Sequence, residues 1–155
     1  MAHPGRRTYL AVNPPPLTDG PLVLLVDDDP LVLLTAQRAL ERHGFRVSVA
    51  NNASEALSIL EDTAVELMLT DVLMPQMSGI TLAKIVHARF PSLPVIFMSG
   101  FVGDHAIDLF NERNFIPKPF SYRHLVALVT GALSQDGPFR RQVPASTSHD
   151  LGASA

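Results

Sequence analysis

The chain of 155 residues contains no cysteine, and only 17% of its residues are charged. The lack of cysteine excludes disulfide bonds, thiolate catalysis and zinc–thiolate sites, and it is typical of proteins in a reducing cytosol. The net charge of −3 provides no general basic field that would attract nucleic acid. No apolar stretch approaches the roughly 20 residues needed to span a bilayer, and the N-terminus lacks the continuous apolar region of a signal peptide. We therefore expect a cytoplasmic domain without direct contacts to nucleic acid or membrane.

The apolar content of 46% is typical of a compact globular protein with a well-buried core. The length allows one domain of ordinary size but not two. Residues 1–20 contain Pro14-Pro15-Pro16 and show little apolar periodicity, which predicts a flexible proline-rich segment. Residues 135–155 are rich in small and polar types, which predicts a disordered tail. The folded domain is therefore expected over residues 21–134.

Strand and helix patterns alternate through this predicted domain. Short apolar runs predict five strands, over residues 23–26, 46–50, 66–70, 95–98 and 115–116. Such alternation is typical of parallel βαβ units with right-handed crossovers. Because Pro117 cannot donate a ladder hydrogen bond, we expect the last strand at a sheet edge. The pattern predicts a flavodoxin-like α/β fold, with a doubly wound five-stranded parallel sheet in the order 2-1-3-4-5 and five helices.

The boundaries of the predicted helices carry local signals. Three polar residues are placed to cap helices at their N-termini: Asp29, Asn52 and Ser121. Asp29 precedes Pro30, a residue that suits the first helical position, and Gly44 is expected to end the same helix. Asn52 followed by Glu55 resembles a capping box. A fourth helix is predicted over residues 104–113.

Polar side chains follow four of the five predicted strands, where each strand ends. They are Asp27, Asp28, Asp29, Asp71, Ser99 and Lys118. The carboxyl ends of parallel strands meet at one edge of a sheet, so we expect these side chains to converge there. Neighbouring carboxylates repel unless something offsets their charge, and a hard cation such as Mg²⁺ is the usual partner in phosphate chemistry. One carboxylate can attack phosphorus to form an acyl phosphate, while a hydroxyl and a lysine suit the oxygens of the transferred group.

Each of these residues also has a purely structural interpretation. Asp29 before Pro30 is expected to act mainly as a helix cap. The pair Asp27-Asp28 and the single Asp71 are compatible with solvated turns, Ser99 with a turn hydroxyl and Lys118 with a surface lysine. Their convergence on one rim of a separately predicted sheet favours a functional site.

Four motifs resemble the receiver domains of two-component response regulators. They are Val-Asp-Asp-Asp-Pro (26–30), Thr-Asp-Val-Leu-Met-Pro-Gln-Met-Ser-Gly (70–79), Phe-Met-Ser-Gly (97–100) and Lys-Pro-Phe (118–120). The resemblance covers about residues 22–133, and the order and spacing of the motifs are highly specific. It implies five βα units and Mg²⁺-dependent phosphoryl transfer from a histidine kinase or a histidine phosphotransfer protein.

The resemblance also implies the residues that accept the phosphoryl group and hold the metal. Asp71 matches the phosphoacceptor, and Asp27 and Asp28 match the acidic pair of the family. Asp28 is then the direct Mg²⁺ ligand, and Asp27 acts partly through water. Asp71 itself and the backbone carbonyl of Leu73 complete the implied set of protein ligands.

The switch residues follow from the same resemblance. Ser99 matches the switch Ser/Thr, Phe115 the switch aromatic residue and Lys118 the phosphate-binding lysine, and the Lys118-Pro119 bond is expected to be cis. Leu73 and Phe101 place apolar side chains where some relatives carry polar ones that position hydrolytic water. We therefore expect this apolar flank to slow or alter loss of the phosphoryl group.

The same resemblance implies an output surface. Phosphorylation is expected to change the face formed by the fourth predicted helix, the fifth strand and the fifth helix, where a downstream protein would bind. We expect a monomer or a weak homodimer. The proline-rich leader and the Phe-Met-Ser-Gly-Phe stretch (97–101) are similar to receivers of hybrid histidine kinases. A single-domain regulator remains an open alternative.

Two other functions are compatible with parts of the pattern. A haloacid-dehalogenase-like phosphatase also has Asp-x-Asp after its first strand, here Asp27 and Asp29, and would use Asp27 as its nucleophile. It needs a downstream acidic pair and usually a cap domain, and the sequence shows neither clearly. The second alternative is a receiver-like adaptor that binds its partners without phosphorylation.

Overall fold

The computed structural model describes residues 19–100 and 114–134. Its elements, in chain order, are β1 (Leu22–Val26), α1 (Pro30–Arg42), β2 (Arg46–Ala50), α2 (Ala53–Asp62), β3 (Leu67–Asp71), α3 (Gly79–Arg89), β4 (Val95–Ser99), β5 (Phe115–Pro117) and α4 (Tyr122–Leu133). The helix predicted over residues 104–113 lies outside the described residues. So do residues 135–155 and nearly all of the segment predicted over residues 1–20.

All five strands join one parallel sheet in the order β2-β1-β3-β4-β5. This order and the flavodoxin-like class confirm the prediction. β5 lies at the edge of the sheet, as expected for a strand that contains Pro117, because proline has no amide hydrogen to donate to a neighbouring strand. Four of the five predicted helices fall within the described part of the chain.

Helices cover both faces of the sheet, as a continuous apolar strand requires. On β1, Val23 and Leu25 pack into a cluster with residues of α1 and α4. Leu24 and Val26 point the other way, into a cluster with α2 and α3. Burying a side chain of this size contributes about 1.5–3 kcal/mol relative to leaving it exposed. The two clusters therefore stabilise both the register of the strands and the packing of the helices on each face of the sheet.

The predicted helix caps direct the chain away from the sheet rim. Oδ1 of Asp29 accepts a hydrogen bond from the Leu31 amide at 2.9 Å, which opens α1. Oδ1 of Asn52 accepts one from the Glu55 amide at 2.8 Å. The carboxylate of Glu55 reaches back one residue further than a capping box predicts, to the amide of Asn51 at 2.9 Å. Ser121 caps α4 as predicted.

Gly44 ends α1 with a φ of 87°, a conformation that glycine adopts without strain. In the described part of the chain, no helix is both long enough and apolar enough to cross a membrane.

Candidate functional site

The first carboxylate of the site is Asp27, directly after β1. Its side chain is fully buried. Oδ1 accepts a hydrogen bond from the Asp29 amide at 2.9 Å, and Oδ2 accepts one from Nζ of Lys118 at 2.6 Å. Asp29 points away to cap α1, as predicted. The aspartate triplet therefore divides into a buried ion-pair partner, an exposed carboxylate at Asp28 and a helix cap.

Asp71 brings a third carboxylate to the same rim from the end of β3. Carboxylate oxygens of Asp27, Asp28 and Asp71 all lie within 4.8 Å of one another. Asp71 is nearly buried, whereas Asp28 is exposed. The donor set consists of hard oxygen atoms with a high negative charge, so it fits a hard divalent cation such as Mg²⁺.

Lys118 supplies the positive charge of the cluster from the chain that follows β5. Its Nζ lies 2.6 Å from Oδ2 of Asp27 and 3.3 Å from Oδ1 of Asp71. Its backbone amide donates to the carbonyl of Ser99 at 2.8 Å, so the ends of β4 and β5 are tied together. The Lys118-Pro119 bond is cis, as expected. Ser99 itself is buried beside this junction.

Burial and charge act in opposite directions on the ionisable groups of the cluster. Burial raises the pKa of Asp71, and the negative charge of Asp27 raises it further, while the nearby Lys118 ammonium lowers it less. Burial alone would lower the pKa of Lys118, but the hydrogen bond and charge of Asp27, together with the charge of Asp71, raise it overall. In the metal-free protein Lys118 is therefore firmly charged, and the charge on Asp71 is disfavoured.

Two of the remaining predicted residues, Leu73 and Phe115, lie in the described part of the chain. Leu73 lies in the loop between β3 and α3, and 61% of its surface is exposed. Phe115 is half-buried in β5, opposite Phe97 of β4. Phe101 lies outside the described residues.

Sequence reasoning missed two residues that contact the main chain of Asp71. The hydroxyl of Thr70 donates to the carbonyl oxygen of Asp71 at 3.0 Å. Gly79 begins α3 so close to that carbonyl that an added Cβ would lie 1.9 Å from its oxygen. The only signals in the sequence are a hydroxyl residue inside an otherwise apolar strand and a glycine at the start of a helix. Neither signal identifies its partner.

Comparison with known proteins identifies the family of this chain. The family described as the response regulator receiver domain matches residues 23–130. The chain belongs to this family. Membership indicates a receiver role in two-component phosphorelay signalling, and it lends no support to the phosphatase or the phosphorylation-independent adaptor. Asp27 is also fully buried and both its carboxylate oxygens already accept hydrogen bonds, which argues against its use as the phosphatase nucleophile.

Individual relatives carry the same domain within longer proteins. The chain is 34% identical over 124 residues to the sensor kinase CckA of Brucella abortus (strain 2308). This alignment covers 77% of this chain and 13% of the kinase. It is 36% identical over 114 residues to the transcriptional regulatory protein CpxR of Escherichia coli (strain K12). This alignment covers 72% of this chain and 48% of CpxR. The chain thus spans less than half the length of these curated relatives.

Solved receiver structures share the fold. The receiver domain of the hybrid histidine kinase CckA aligns with a TM-score of 0.62 at 31% identity, covering 73% of this chain and 99% of that chain. A CheY-like receiver domain protein from Methanospirillum hungatei JF-1 aligns with a TM-score of 0.68 at 27% identity. The alignment covers 74% of this chain and 94% of the solved chain.

Proposed function

We propose that Asp71 accepts a phosphoryl group from the phosphohistidine of a histidine kinase or a histidine phosphotransfer protein. The observation that carries this proposal is the convergence of Asp27, Asp28, Asp71 and Lys118 on one rim of the sheet. Within this group Asp27 is fully buried and bound to Lys118, and Asp28 is exposed to solvent. Asp71 keeps a small exposed area, and its Oδ1 lies 3.3 Å from the same ammonium group.

The transfer exchanges one phosphorus bond for another. A carboxylate oxygen of Asp71 attacks phosphorus, the P–N bond of phosphohistidine breaks, and its electron pair returns to the imidazole, which leaves the protein with the partner. The ammonium of Lys118 lies where it can stabilise negative charge on the phosphoryl oxygens. The hydroxyl of Ser99, at the adjacent strand end, is suited to donate to another of these oxygens.

The carboxylates of Asp27, Asp28 and Asp71 would hold Mg²⁺ together with the backbone carbonyl of Leu73. The cation would offset the repulsion among the carboxylates and neutralise charge on the phosphoryl group. Asp28, as the exposed member, is the direct ligand in this proposal, and the buried Asp27 acts partly through water. The binding of Lys118 to Asp27 keeps the lysine oriented toward the site.

Phosphorylation at Asp71 would draw Ser99 inward and repack Phe115, which changes the adjacent face. We propose that a downstream protein reads this change on residues 104–113, β5 and α4, and that the protein acts in the cytoplasm as a monomer or weak homodimer. A new negative charge that biases a two-state element is the general mechanism of such switches.

Phosphotransfer from candidate kinases tests the proposal. The purified chain is mixed with autophosphorylated histidine kinases or charged phosphotransfer proteins in Mg²⁺, and transfer is followed over time. We expect at least one donor to transfer rapidly to the wild type and none to transfer to Asp71→Asn. Equal transfer to the variant would contradict the assignment of Asp71, and loss of labelling in Asp27→Asn alone would instead favour the phosphatase chemistry.

A further inference from the structure

Thr70 is a polar residue inside the apolar strand β3. All five residues of this strand, Leu67–Asp71, are buried, and Thr70 is fully so. Valine has nearly the same shape and a similar preference for strands, so packing alone does not explain a hydroxyl at this position. A buried hydroxyl is unfavourable unless it forms a hydrogen bond. The partner of this hydroxyl therefore indicates what Thr70 does.

That partner is the main chain of Asp71. Oγ1 of Thr70 lies 3.0 Å from the carbonyl oxygen of Asp71 and donates to it. Gly79 also presses against the same carbonyl, because an added Cβ would meet its oxygen at 1.9 Å and Oγ1 of Thr70 at 3.0 Å. The Val72 amide, which belongs to the same peptide as the Asp71 carbonyl, donates to the Met98 carbonyl at 3.0 Å. The Val72 carbonyl, in the next peptide, accepts from the Gly79 amide at 2.9 Å.

These contacts hold the peptide that follows the Asp71 Cα and the peptide after it. The direction of a Cα–Cβ bond depends on the orientation of the adjoining peptides, so holding the peptide after Asp71 also constrains where its carboxylate points. The ladder bonds and the α3 contact hold Val72, while the Thr70 hydroxyl is the side-chain bond that reaches the carbonyl of Asp71. Valine would keep the packing and remove this bond.

We propose that Thr70 is a positioning residue, whose hydroxyl orients Asp71 for phosphoryl transfer through the Asp71 main chain. The inference rests on the proposed role of Asp71 as phosphoacceptor. Misplacing a reacting group by about 1 Å can slow a reaction about 100-fold. Because Gly79 still confines the Asp71 carbonyl in Thr70→Val, we expect a smaller displacement and a rate about tenfold lower, equal to about 1.4 kcal/mol in the barrier.

The test compares Thr70→Val with Thr70→Ser, which restores the hydroxyl but not the methyl group. The rate of labelling by acetyl phosphate is measured in saturating Mg²⁺, and the Mg²⁺ dissociation constant is measured separately by calorimetric titration. We expect Thr70→Val to be labelled about tenfold more slowly and to bind Mg²⁺ several-fold more weakly, because the altered peptide lies between the Asp71 carboxylate and the Leu73 carbonyl, two of the proposed ligands. Thr70→Ser should match the wild type in both measurements.

Thr35→Val is the matched control, because it removes an exposed threonine hydroxyl that bonds to carbonyls of α1. It should leave both measurements unchanged. Wild-type values in Thr70→Val, or a Thr70→Ser variant as impaired as Thr70→Val, would overturn the proposal, since either result assigns Thr70 to packing alone. If no form of the chain is labelled, the proposed phosphoacceptor fails, while the Mg²⁺ titration of Thr70→Val still decides the positioning role.

Discussion

Replacing Asp71 by asparagine should stabilise the protein when Mg²⁺ is absent. Asp71 is nearly buried, and its pKa is raised by burial first and by the charge of Asp27 second. A carboxyl group whose pKa is higher in the folded state makes folding less favourable once it is ionised. Asparagine removes the charge and keeps the shape, and Lys118 retains its 2.6 Å bond to Asp27.

The magnitude follows from the distances in the cluster. At an effective dielectric constant of about 20, the Lys118 ammonium at 3.3 Å attracts Asp71 by about 5 kcal/mol. Asp27, with an oxygen within 4.8 Å, repels it by about 3 kcal/mol or more. Asp28 is exposed, so a water-like dielectric constant of about 80 applies to it, and it adds about 1 kcal/mol. Because these contributions nearly cancel, burial of the ionised carboxylate decides the sign. We expect a net stabilisation of about 1–2 kcal/mol, which is about 4–8 °C in Tm for a domain of this size.

The pH dependence has a defined sign. The contribution of Asp71 to stability is fully present below the usual carboxyl pKa of 3.8 and is lost as the pH rises through its raised pKa in the folded state. The difference between Asp71→Asn and the wild type should therefore be largest at neutral pH and should vanish as the pH falls toward 3.8.

Thermal unfolding followed by circular dichroism, in EDTA and again in Mg²⁺, provides the assay. At a Mg²⁺ concentration about 100 times its dissociation constant, binding should stabilise the wild type by about 2.7 kcal/mol. Asp71→Asn should gain far less, so the order of stability reverses when Mg²⁺ is added. Asp29→Asn is the control, because it removes a nearby charge and preserves the helix cap. An Asp71→Asn variant less stable than the wild type in EDTA would refute the reasoning.

Three further variants probe neighbouring parts of the site. Lys118→Met should lower the free energy of unfolding without Mg²⁺ by about 2–3 kcal/mol, because the buried Asp27 loses its counter-charge; a urea midpoint equal to that of the wild type would exclude this. Leu73→Asn should accelerate loss of the phosphoryl group, because an exposed amide can position a hydrolytic water; an unchanged lifetime of the labelled protein would count against the apolar flank. Asp29→Ala should cost about 1 kcal/mol in chemical denaturation, because the Leu31 amide loses its acceptor.

Most of the fold could be predicted from the sequence because the local signals agree with the pattern of the whole chain. Continuous apolar runs predicted buried parallel strands, and Asp29, Asn52 and Ser121 predicted the helix starts that the structure shows. Strand β3 runs one residue later than predicted, because Asp71 still pairs with Met98. Pairing of this kind depends on the neighbouring strand, so the end of a strand cannot be read from its own residues alone.

The site was predictable as a set of residues but not as a set of contacts. Strand ends indicated that Asp27, Asp71 and Lys118 would meet, since parallel strands present their carboxyl ends at one rim. The bond from Lys118 to Asp27 joins residues 91 positions apart and depends on the register of β5, which no local pattern specifies. The contact of Gly79 with the Asp71 carbonyl depends likewise on how closely α3 approaches β3.

The most direct test of the central claim is to locate the phosphoryl group on the chain. The protein is treated with acetyl phosphate and Mg²⁺, the acyl phosphate is reduced with borohydride, and the modified residue is identified by peptide mass spectrometry. The account predicts modification at Asp71 in the wild type and none in Asp71→Asn. Modification at Asp27, or undiminished labelling of Asp71→Asn, would contradict it.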